Sequence, residues 1–173
     1  MSNVRKILIV DDDSELRDTL VEQLALHEEF EATSEESGAK GVQAAKNGQI
    51  DLIIMDVGLP DMDGREAVRL LRKGGFKAPI IMLTGHSEKR RVTVARDAGV
   101  TEFLAKPISA KGLYQRILNV VANPRPFIKT KTYFGPDRRR NTSNAYIGPE
   151  RRVGGEMEVL QQPSLLDKAR TSV

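Results

Sequence analysis

The chain has 173 residues, 39% of them hydrophobic, which suffices for one domain of ordinary size and an appendage. It carries a formal net charge of +3 and no cysteine, so disulfide bonds, thiol catalysis and thiolate metal sites are excluded. The longest wholly apolar runs have about four residues, against roughly 20 for a membrane-spanning helix, and the N-terminus opens directly into a predicted strand. We therefore expect neither secretion nor membrane insertion, and the lack of cysteine suits a reducing cytoplasm.

Short apolar runs and amphipathic segments alternate along the first two thirds of the chain. In order, they predict a strand at 7–10, a helix at 14–27, a strand at 30–33, a helix at 39–46, a strand at 52–55, a helix at 65–72, a strand at 80–83, a helix at 90–97, a strand at 101–105 and a helix at 113–121. The second helix is predicted to be weak, because glycines flank and interrupt it. Five strands and five helices in strict alternation favour an α/β fold of the doubly wound, flavodoxin-like kind: a five-stranded parallel sheet in the order 2-1-3-4-5.

Polar residues close four of the predicted strands, namely Asp11-Asp12-Asp13, Asp56, Thr84-Gly85 and Lys106-Pro107. The carboxyl ends of parallel strands meet at one edge of the sheet, and such sheets bind ligands there. We therefore expect carboxylates, a hydroxyl and an ammonium group to face one another in a single cleft.

Three converging carboxylates repel one another unless a cation lies between them, and hard oxygen ligands favour Mg²⁺. An aspartate beside bound Mg²⁺ can attack phosphorus, because the metal neutralises the phosphoryl oxygens that would repel it. This chemistry makes Asp56 the expected nucleophile and Lys106 its charge partner. Taken alone, residues 11–13 are equally consistent with a cap at the start of a helix.

The strand-end residues together resemble the receiver domain of two-component response regulators, over residues 4–121. The resemblance implies a single-domain response regulator that accepts a phosphoryl group onto Asp56 from a phosphohistidine of a sensor histidine kinase or a histidine phosphotransfer protein. It also implies a phosphoacceptor with self-catalysed phosphotransfer and dephosphorylation, which is not an enzyme in the usual sense. Phosphorylation would switch an interaction face for a downstream protein target, and the implied location is cytoplasmic.

The resemblance implies a role for each acidic residue. Mg²⁺ would be held by Asp56, by Asp12 directly, by Asp11 through water, and by the backbone carbonyl of Gly58, while Asp13 would lie just outside the site.

The remaining motif residues match the family's switch. Thr84 corresponds to the hydroxyl that moves to a phosphoryl oxygen, and Phe103 to the aromatic residue that changes exposure with it. Phe103 lacks the phenolic hydroxyl of the commoner tyrosine, so any hydrogen bond of its outward state is lost. Gly58 and His86 stand at positions that tune phosphoryl hydrolysis, although His86 is as consistent with an ordinary exposed loop residue. The peptide bond before Pro107 is expected to be cis.

Composition shifts after residue 123, so we place the receiver domain at 1–123 and a basic tail at 124–173. The tail has 10 Lys and Arg against 5 Asp and Glu, net +5, whereas residues 1–123 have 17 against 19, net −2. Within the tail, Tyr133-Phe134-Gly135-Pro136-Asp137-Arg138-Arg139 recurs thirteen residues later as Tyr146-Ile147-Gly148-Pro149-Glu150-Arg151-Arg152. Each copy favours a turn that presents an anchor side chain and then a pair of guanidinium groups.

The tail is too polar for a second core and has no recognisable helix-turn-helix, so we expect no output domain of the usual transcription-factor kind. Three interpretations stay open: a solvated extended tail, a segment that docks on the domain or on a protein partner, and a nucleic-acid-binding segment. Nucleic acid is disfavoured, because +5 over fifty residues is a modest charge. Docking would use Tyr133, Arg138, Arg139, Tyr146, Arg151 and Arg152.

Two other functions are considered for the whole chain. It could be a phosphorelay intermediate with no output of its own. It could also be a Mg²⁺-dependent phosphatase, but Gly58 stands two residues after Asp56, where such an enzyme needs a second catalytic aspartate.

Overall fold

The computed structural model describes residues 4–85 and 98–137, and the backbone of 158–160. Its main sheet has five parallel strands, β1 (Arg5–Val10), β2 (Phe30–Glu35), β3 (Leu52–Asp56), β4 (Ile80–Thr84) and β5 (Glu102–Ala105). Their order across the sheet is β2-β1-β3-β4-β5, which confirms the predicted fold class and strand order. The observed strands differ from the predicted ones by at most two residues at either end.

The strands in the middle of the sheet are buried on both faces. All five residues of β3 and the last four of β1 are buried, as are the first four of β4. Two separate apolar clusters lie against the two faces of the sheet. Burial on both faces explains why these strands are continuous apolar runs without the polar alternation of a half-exposed strand.

Four helices lie within the described ranges, α1 (Ser14–Ala25), α2 (Gly38–Asn47), α3 (Gly64–Lys73) and α4 (Ala110–Ala122). Each begins after a capping residue whose side chain accepts a backbone hydrogen bond from the first turn; these residues are Asp13, Ser37, Asp63 and Ser109. The helix predicted at 90–97 lies outside the described residues. No helix in the part of the chain that the structure describes is long and apolar enough to cross a membrane.

The glycines that made α2 look weak are required by its close packing. A Cβ added at Gly41 would lie 2.7 Å from Cγ2 of Val10, and one added at Gly38 would lie 2.5 Å from Cγ of Met62. Real Cβ atoms do not come so close to other heavy atoms, so glycine at position 41 lets α2 approach β1 and glycine at position 38 makes room for the side chain of Met62. Tertiary packing here outweighs the low helix propensity of glycine.

Three short segments of the tail form a second, small sheet. It consists of β6 (Phe127–Lys129), β7 (Phe134–Pro136) and β8 (Glu158–Leu160), with β6 central and both pairings antiparallel. Phe127 is only 2% exposed, and the guanidinium carbon of Arg72 on α3 lies 4.8 Å from its ring centroid. Residues 124–137 thus pack on the main domain, while a domain boundary at residue 123 stays a prediction.

Gly64, the first residue of α3, offers a test of this packing. A Cβ at this position would lie 2.1 Å from the backbone oxygen of Asp56, which cannot move without distorting β3. We expect Gly64→Ala to lower the free energy of unfolding in urea by about 2 to 3 kcal/mol, the upper range for overpacking. Gly85→Ala is the matched control, because nothing lies within 4 Å of its added Cβ. Equal stability of the two variants would contradict the packing argument.

Candidate functional site

The register of the sheet brings the predicted strand-end residues to one edge. Val10 is paired with Met55, so the residues that follow them, Asp11 and Asp56, leave β1 and β3 at the same level. On the other side of β3, Thr84 pairs with Ala105, and Lys106 is the next residue. The ends of β1, β3 and β5 therefore deliver two carboxylates and an ammonium group into the same space.

Asp11, Asp12 and Asp56 form an acidic cluster. One carboxylate oxygen from each lies within 4.8 Å of the others, and this is the one group of metal-ligating side chains found among the described residues. Asp11 is fully buried and Asp56 is 8% exposed, whereas Asp12 is exposed. Oxygen ligands at this spacing, with one side open to water, fit a hard divalent cation that keeps part of its hydration shell.

Lys106 bridges the two buried carboxylates. Its Nζ lies 3.0 Å from Oδ2 of Asp11 and 2.9 Å from Oδ1 of Asp56. Burial by itself lowers the pKa of Lys106, but its hydrogen bonds to Asp56 and Asp11 outweigh burial and raise that pKa above its ordinary value. The side chain of Lys106 thus holds a positive charge between the two buried carboxylates. The Lys106–Pro107 peptide bond is cis, as the family resemblance implies.

Asp11 is the most strongly desolvated member of the cluster. Burial raises its pKa, an effect only partly offset by hydrogen bonds from the backbone N–H of Asp13 and from Lys106, and the charge of Asp56 raises it further. The donor from Asp13 lies 3.0 Å from Oδ1 of Asp11. Asp13 itself accepts a hydrogen bond from the N–H of Leu16 at 3.1 Å, so it caps α1 and belongs to the helix end.

The loop after β3 holds Gly58 against the side chain of Asp56. The N–H of Gly58 donates to Oδ2 of Asp56 at 3.0 Å. Gly58 also forms an isolated antiparallel bridge with Asp63, and the N–H of Gly64 donates to the carbonyl of Val57 at 2.8 Å. The loop is therefore closed on itself, and both oxygens of Asp56 have partners, one in Lys106 and one in this backbone N–H.

Asp61 anchors the same loop to the neighbouring helix. Its Oδ1 and Oδ2 accept hydrogen bonds from the N–H groups of Gly38 and Ala39, both at 2.8 Å, and these backbone bonds lower its pKa. Sequence reasoning missed this contact, because it joins residues more than twenty positions apart and no local pattern marks it.

Thr84 is the last residue of β4, and Phe103 lies in β5. Thr84 is half-buried, and its carbonyl accepts the N–H of Lys106 at 2.8 Å, which ties β4 to β5 at the site. Phe103 is half-buried and packs against the apolar cluster on one face of the sheet. Gly85, next to Thr84, is exposed with open space around it. His86 lies outside the described residues.

Of the predicted docking residues in the tail, Tyr133 is the one that the structure describes. Its hydroxyl donates to the carbonyl of Pro136 at 2.9 Å. The other five, Arg138, Arg139, Tyr146, Arg151 and Arg152, lie outside the described residues.

Two arginines that sequence reasoning did not select support the site and the tail. Nη1 of Arg17 donates to the backbone carbonyl of Asp11 at 2.6 Å, which fixes the turn between β1 and α1. Arg72 is 3% exposed, and burial lowers its pKa to about 9. The sequence pattern could have predicted the burial of Arg72. This residue directly follows Leu71 and comes four residues after Val68, so it lies on the apolar face of α3.

Comparison with known proteins identifies the class to which this fold and site belong. The family model for the response regulator receiver domain matches residues 7–118. The chain belongs to the response regulator receiver domain family.

Curated relatives and solved structures agree with this assignment. The chain is 38% identical over 118 residues to the transcriptional regulatory protein GltR of Pseudomonas aeruginosa and 32% identical over 122 residues to PcoR of Escherichia coli. These alignments cover 67% and 70% of this chain but only 48% and 54% of the relatives, so the chain spans about half the length of the curated relatives it matches.

Solved structures of response regulators are also similar to this chain. The chemotaxis response regulator CheY4 of Vibrio cholerae matches with a TM-score of 0.64 and 28% identity, over 68% of this chain and 98% of that one. A CheY-like receiver domain from Methanospirillum hungatei matches with a TM-score of 0.63 and 27% identity, over 67% and 92%. Both cover nearly the whole length of a receiver domain and about two thirds of this chain.

The position of Lys106 between two carboxylates predicts its effect on stability. Lys106→Met leaves the negative charges of Asp11 and Asp56 facing each other without a neighbouring positive charge. We expect the free energy of unfolding, measured in EDTA, to fall by about 2 kcal/mol, a value between those for exposed and buried ion pairs. Saturating Mg²⁺ should recover part of the loss, since a second cation can screen the same carboxylates. Lys111→Met, on the exposed surface of α4, is the control. Unchanged urea midpoints for Lys106→Met would mean that the bridge contributes nothing to folding.

Proposed function

We propose that this protein accepts a phosphoryl group on Asp56 from a phosphohistidine in a sensor histidine kinase or histidine phosphotransfer protein. The observation that supports it best is the placement of Lys106 between Asp56 and Asp11, at an acidic cluster open to solvent on the ligand-binding edge of the sheet. The proposal includes Mg²⁺ as the cofactor and a cytoplasmic location.

The transfer is a displacement at phosphorus. A carboxylate oxygen of Asp56 forms a new P–O bond as the P–N bond to the donor histidine breaks, and the imidazole leaves. Lys106 and the N–H of Gly58, which already touch the two oxygens of Asp56, orient the carboxylate. Bound Mg²⁺ would supply charge neutralisation for the phosphoryl oxygens.

The metal would be held by Asp12 directly, by Asp11 through water, by Asp56 and by the backbone carbonyl of Gly58. What supports this set is the mutual distance of the three carboxylates and the closed loop that fixes Gly58. The exposed position of Asp12 leaves room for water and for the incoming phosphoryl group.

Thr84 and Phe103 would convert phosphorylation into a change of surface. A new phosphoryl group adds about −1.5 to −2 charges, to which the Thr84 hydroxyl and Lys106 can respond. Phe103 packs against the core at the neighbouring strand and carries no hydroxyl to hold it in an outward position. The altered face around β4, β5 and α4 would then be read by a downstream protein target.

The output of the protein is the least constrained part of the proposal. The relatives named above are transcriptional regulators by name and are about twice as long as the matched segment. We propose signalling through a protein contact, with a role as a phosphorelay intermediate as the alternative. Gly58, in place of a second acidic residue after Asp56, argues against a phosphatase.

We further propose that the tail is a docking segment, as its duplicated motif suggests. Support comes from the first copy, in which Tyr133 closes a turn and Gly135 is buried. The residues assigned to docking are Tyr133, Arg138, Arg139, Tyr146, Arg151 and Arg152.

The assignment of the acceptor is tested by Asp56→Asn. This variant keeps the shape of the side chain but loses the nucleophilic carboxylate, so incorporation of label from a small phosphodonor such as acetyl phosphate in Mg²⁺ should be abolished. Asp18→Asn, an exposed change on α1, should be labelled like the unmodified protein. Equal labelling of Asp56→Asn would rule out Asp56 as the acceptor.

The metal assignment is tested separately by calorimetric Mg²⁺ titration of Asp12→Ala. Removing one carboxylate ligand should weaken Mg²⁺ binding by about tenfold or more, since even outer partners of a metal site contribute 10–100-fold. The free energy of unfolding without metal should be unchanged or higher, because one repelling charge is gone. Asp13→Ala is the control; it loses the cap of α1 and should keep its affinity for Mg²⁺. If Asp12→Ala binds Mg²⁺ as tightly as the parent, the site lies elsewhere.

A further inference from the structure

Residues 133–137, the part of the first copy that the structure describes, pack against a site on the main domain that we call the Arg72–Gly99 pocket after its two principal residues. Nε of Arg72 donates to the carbonyl of Gly99 at 3.0 Å, and its Nη1 donates to the carbonyls of Phe76 at 2.7 Å and Ala78 at 2.8 Å. Nη2 of Arg72 is buried and has no acceptor among the described residues. The guanidinium group thus links the end of α3 to the turn before β5, and Phe127 lies against it.

The contacts of the docked copy demand particular residue types. A Cβ at Gly135 would lie 2.6 Å from the hydroxyl of Tyr133 and 3.1 Å from Cα of Gly99, so only glycine lets the motif reach the turn. Tyr133 donates its hydroxyl to the carbonyl of Pro136, which closes the motif on itself. Asp137 then returns the chain to the domain by donating its backbone N–H to the carbonyl of Pro126 at 2.7 Å.

At each position where these contacts require a particular residue type, the second copy has the same residue as the first. Tyr146, Gly148 and Pro149 repeat the tyrosine, glycine and proline at the same spacing. The two copies differ by Ile147 for Phe134, and the ring of Phe134 lies edge-on to Phe127 with centroids 5.6 Å apart, where an aliphatic side chain can also pack. The backbone contact made by Asp137 can be made by any residue except proline.

We propose that residues 146–152 are an alternative ligand for the Arg72–Gly99 pocket and take the place of the first copy within the same chain. Exchange would release Tyr133 and the run Arg138-Arg139-Arg140 for a partner while the pocket stays covered. The proposal makes the docking function of the tail more specific, and it does not depend on phosphoryl transfer to Asp56.

The length of the chain permits this exchange. Three residues connect β6 to Tyr133 and sixteen connect it to Tyr146, and loop-closure entropy makes the longer connection less favourable by about tenfold. The first copy should therefore occupy the pocket when both are intact. With the second copy in the place of β7, eight residues, 150–157, remain to reach β8 on the far side of β6. They span up to about 26 Å, more than the roughly 14 Å that two strand spacings and one short strand require.

The test uses the full chain with a leucine in either copy or in both, and the amide NMR signal of Gly99 as the reporter. Gly135→Leu disables the first copy by the clash described above. We expect Gly148→Leu to leave the Gly99 signal where it is in the parent. In Gly135→Leu the signal should stay near the docked position, with new nuclear Overhauser effects from the ring of Tyr146. Only the double variant should move it to an undocked position. Gly154→Leu, just outside the second copy, is the control.

Two results would overturn the proposal. If Gly135→Leu alone moves the Gly99 signal as far as the double variant does, the second copy does not enter the pocket. If the docked Gly99 signal of Gly135→Leu weakens when the protein is diluted, the second copy in the pocket belongs to another chain. Signals from β3 report whether the main domain remains folded, and the pair Tyr133→Ala and Tyr146→Ala repeats the comparison without a bulky insertion. Loss of labelling in Asp56→Asn bears on phosphoryl transfer only, so the two proposals can fail separately.

Discussion

The structure depends on the repulsion between carboxylates that the parallel sheet brings together at one edge. When strands run in the same direction, their carboxyl ends meet, and here they bring Asp11 and Asp56 together in a place where one is fully buried and the other nearly so. Lys106, the residue after edge strand β5, holds this arrangement together through its ion pairs with both carboxylates. One ammonium group cannot neutralise three carboxylates, so the site retains a demand for further positive charge, which a divalent cation can meet.

The neighbouring loops are built to keep that edge fixed. Gly64 accommodates the backbone oxygen of Asp56, and Asp61 fastens the same loop to the start of α2. Arg17 fixes the other side through the carbonyl of Asp11. None of these contacts touches a reacting atom. Their effect is to limit the positions that the side chains of the acidic cluster can adopt. Such positioning, together with charge stabilisation, is what the proposed phosphoryl transfer requires of the protein.

The sequence predicts those features that are marked by a pattern of residues within one short segment. Apolar runs predicted the five strands, and their alternation with helices predicted the strand order. Polar residues at the strand ends pointed to Asp11, Asp12, Asp56 and Lys106, which the structure brings together. The contacts that sequence reasoning missed are of another kind. Asp61 binds a helix more than twenty residues earlier in the chain, and the glycines of α2 signalled a weak helix although they serve close packing. Such features depend on which elements become neighbours, and that is decided by the whole fold.

The burial of Phe127 shows that the packed part of the chain and the segment matched by the family model differ in length. The family model ends at residue 118, whereas a side chain nine positions later fills the space beneath α3 and is almost fully removed from water. A buried phenylalanine contributes roughly 1.5–3 kcal/mol, a large share of the net stability of a small domain. The packed part of this chain therefore extends beyond the segment that the family model matches. A truncation at residue 118 would remove Phe127 and uncover the buried guanidinium group of Arg72.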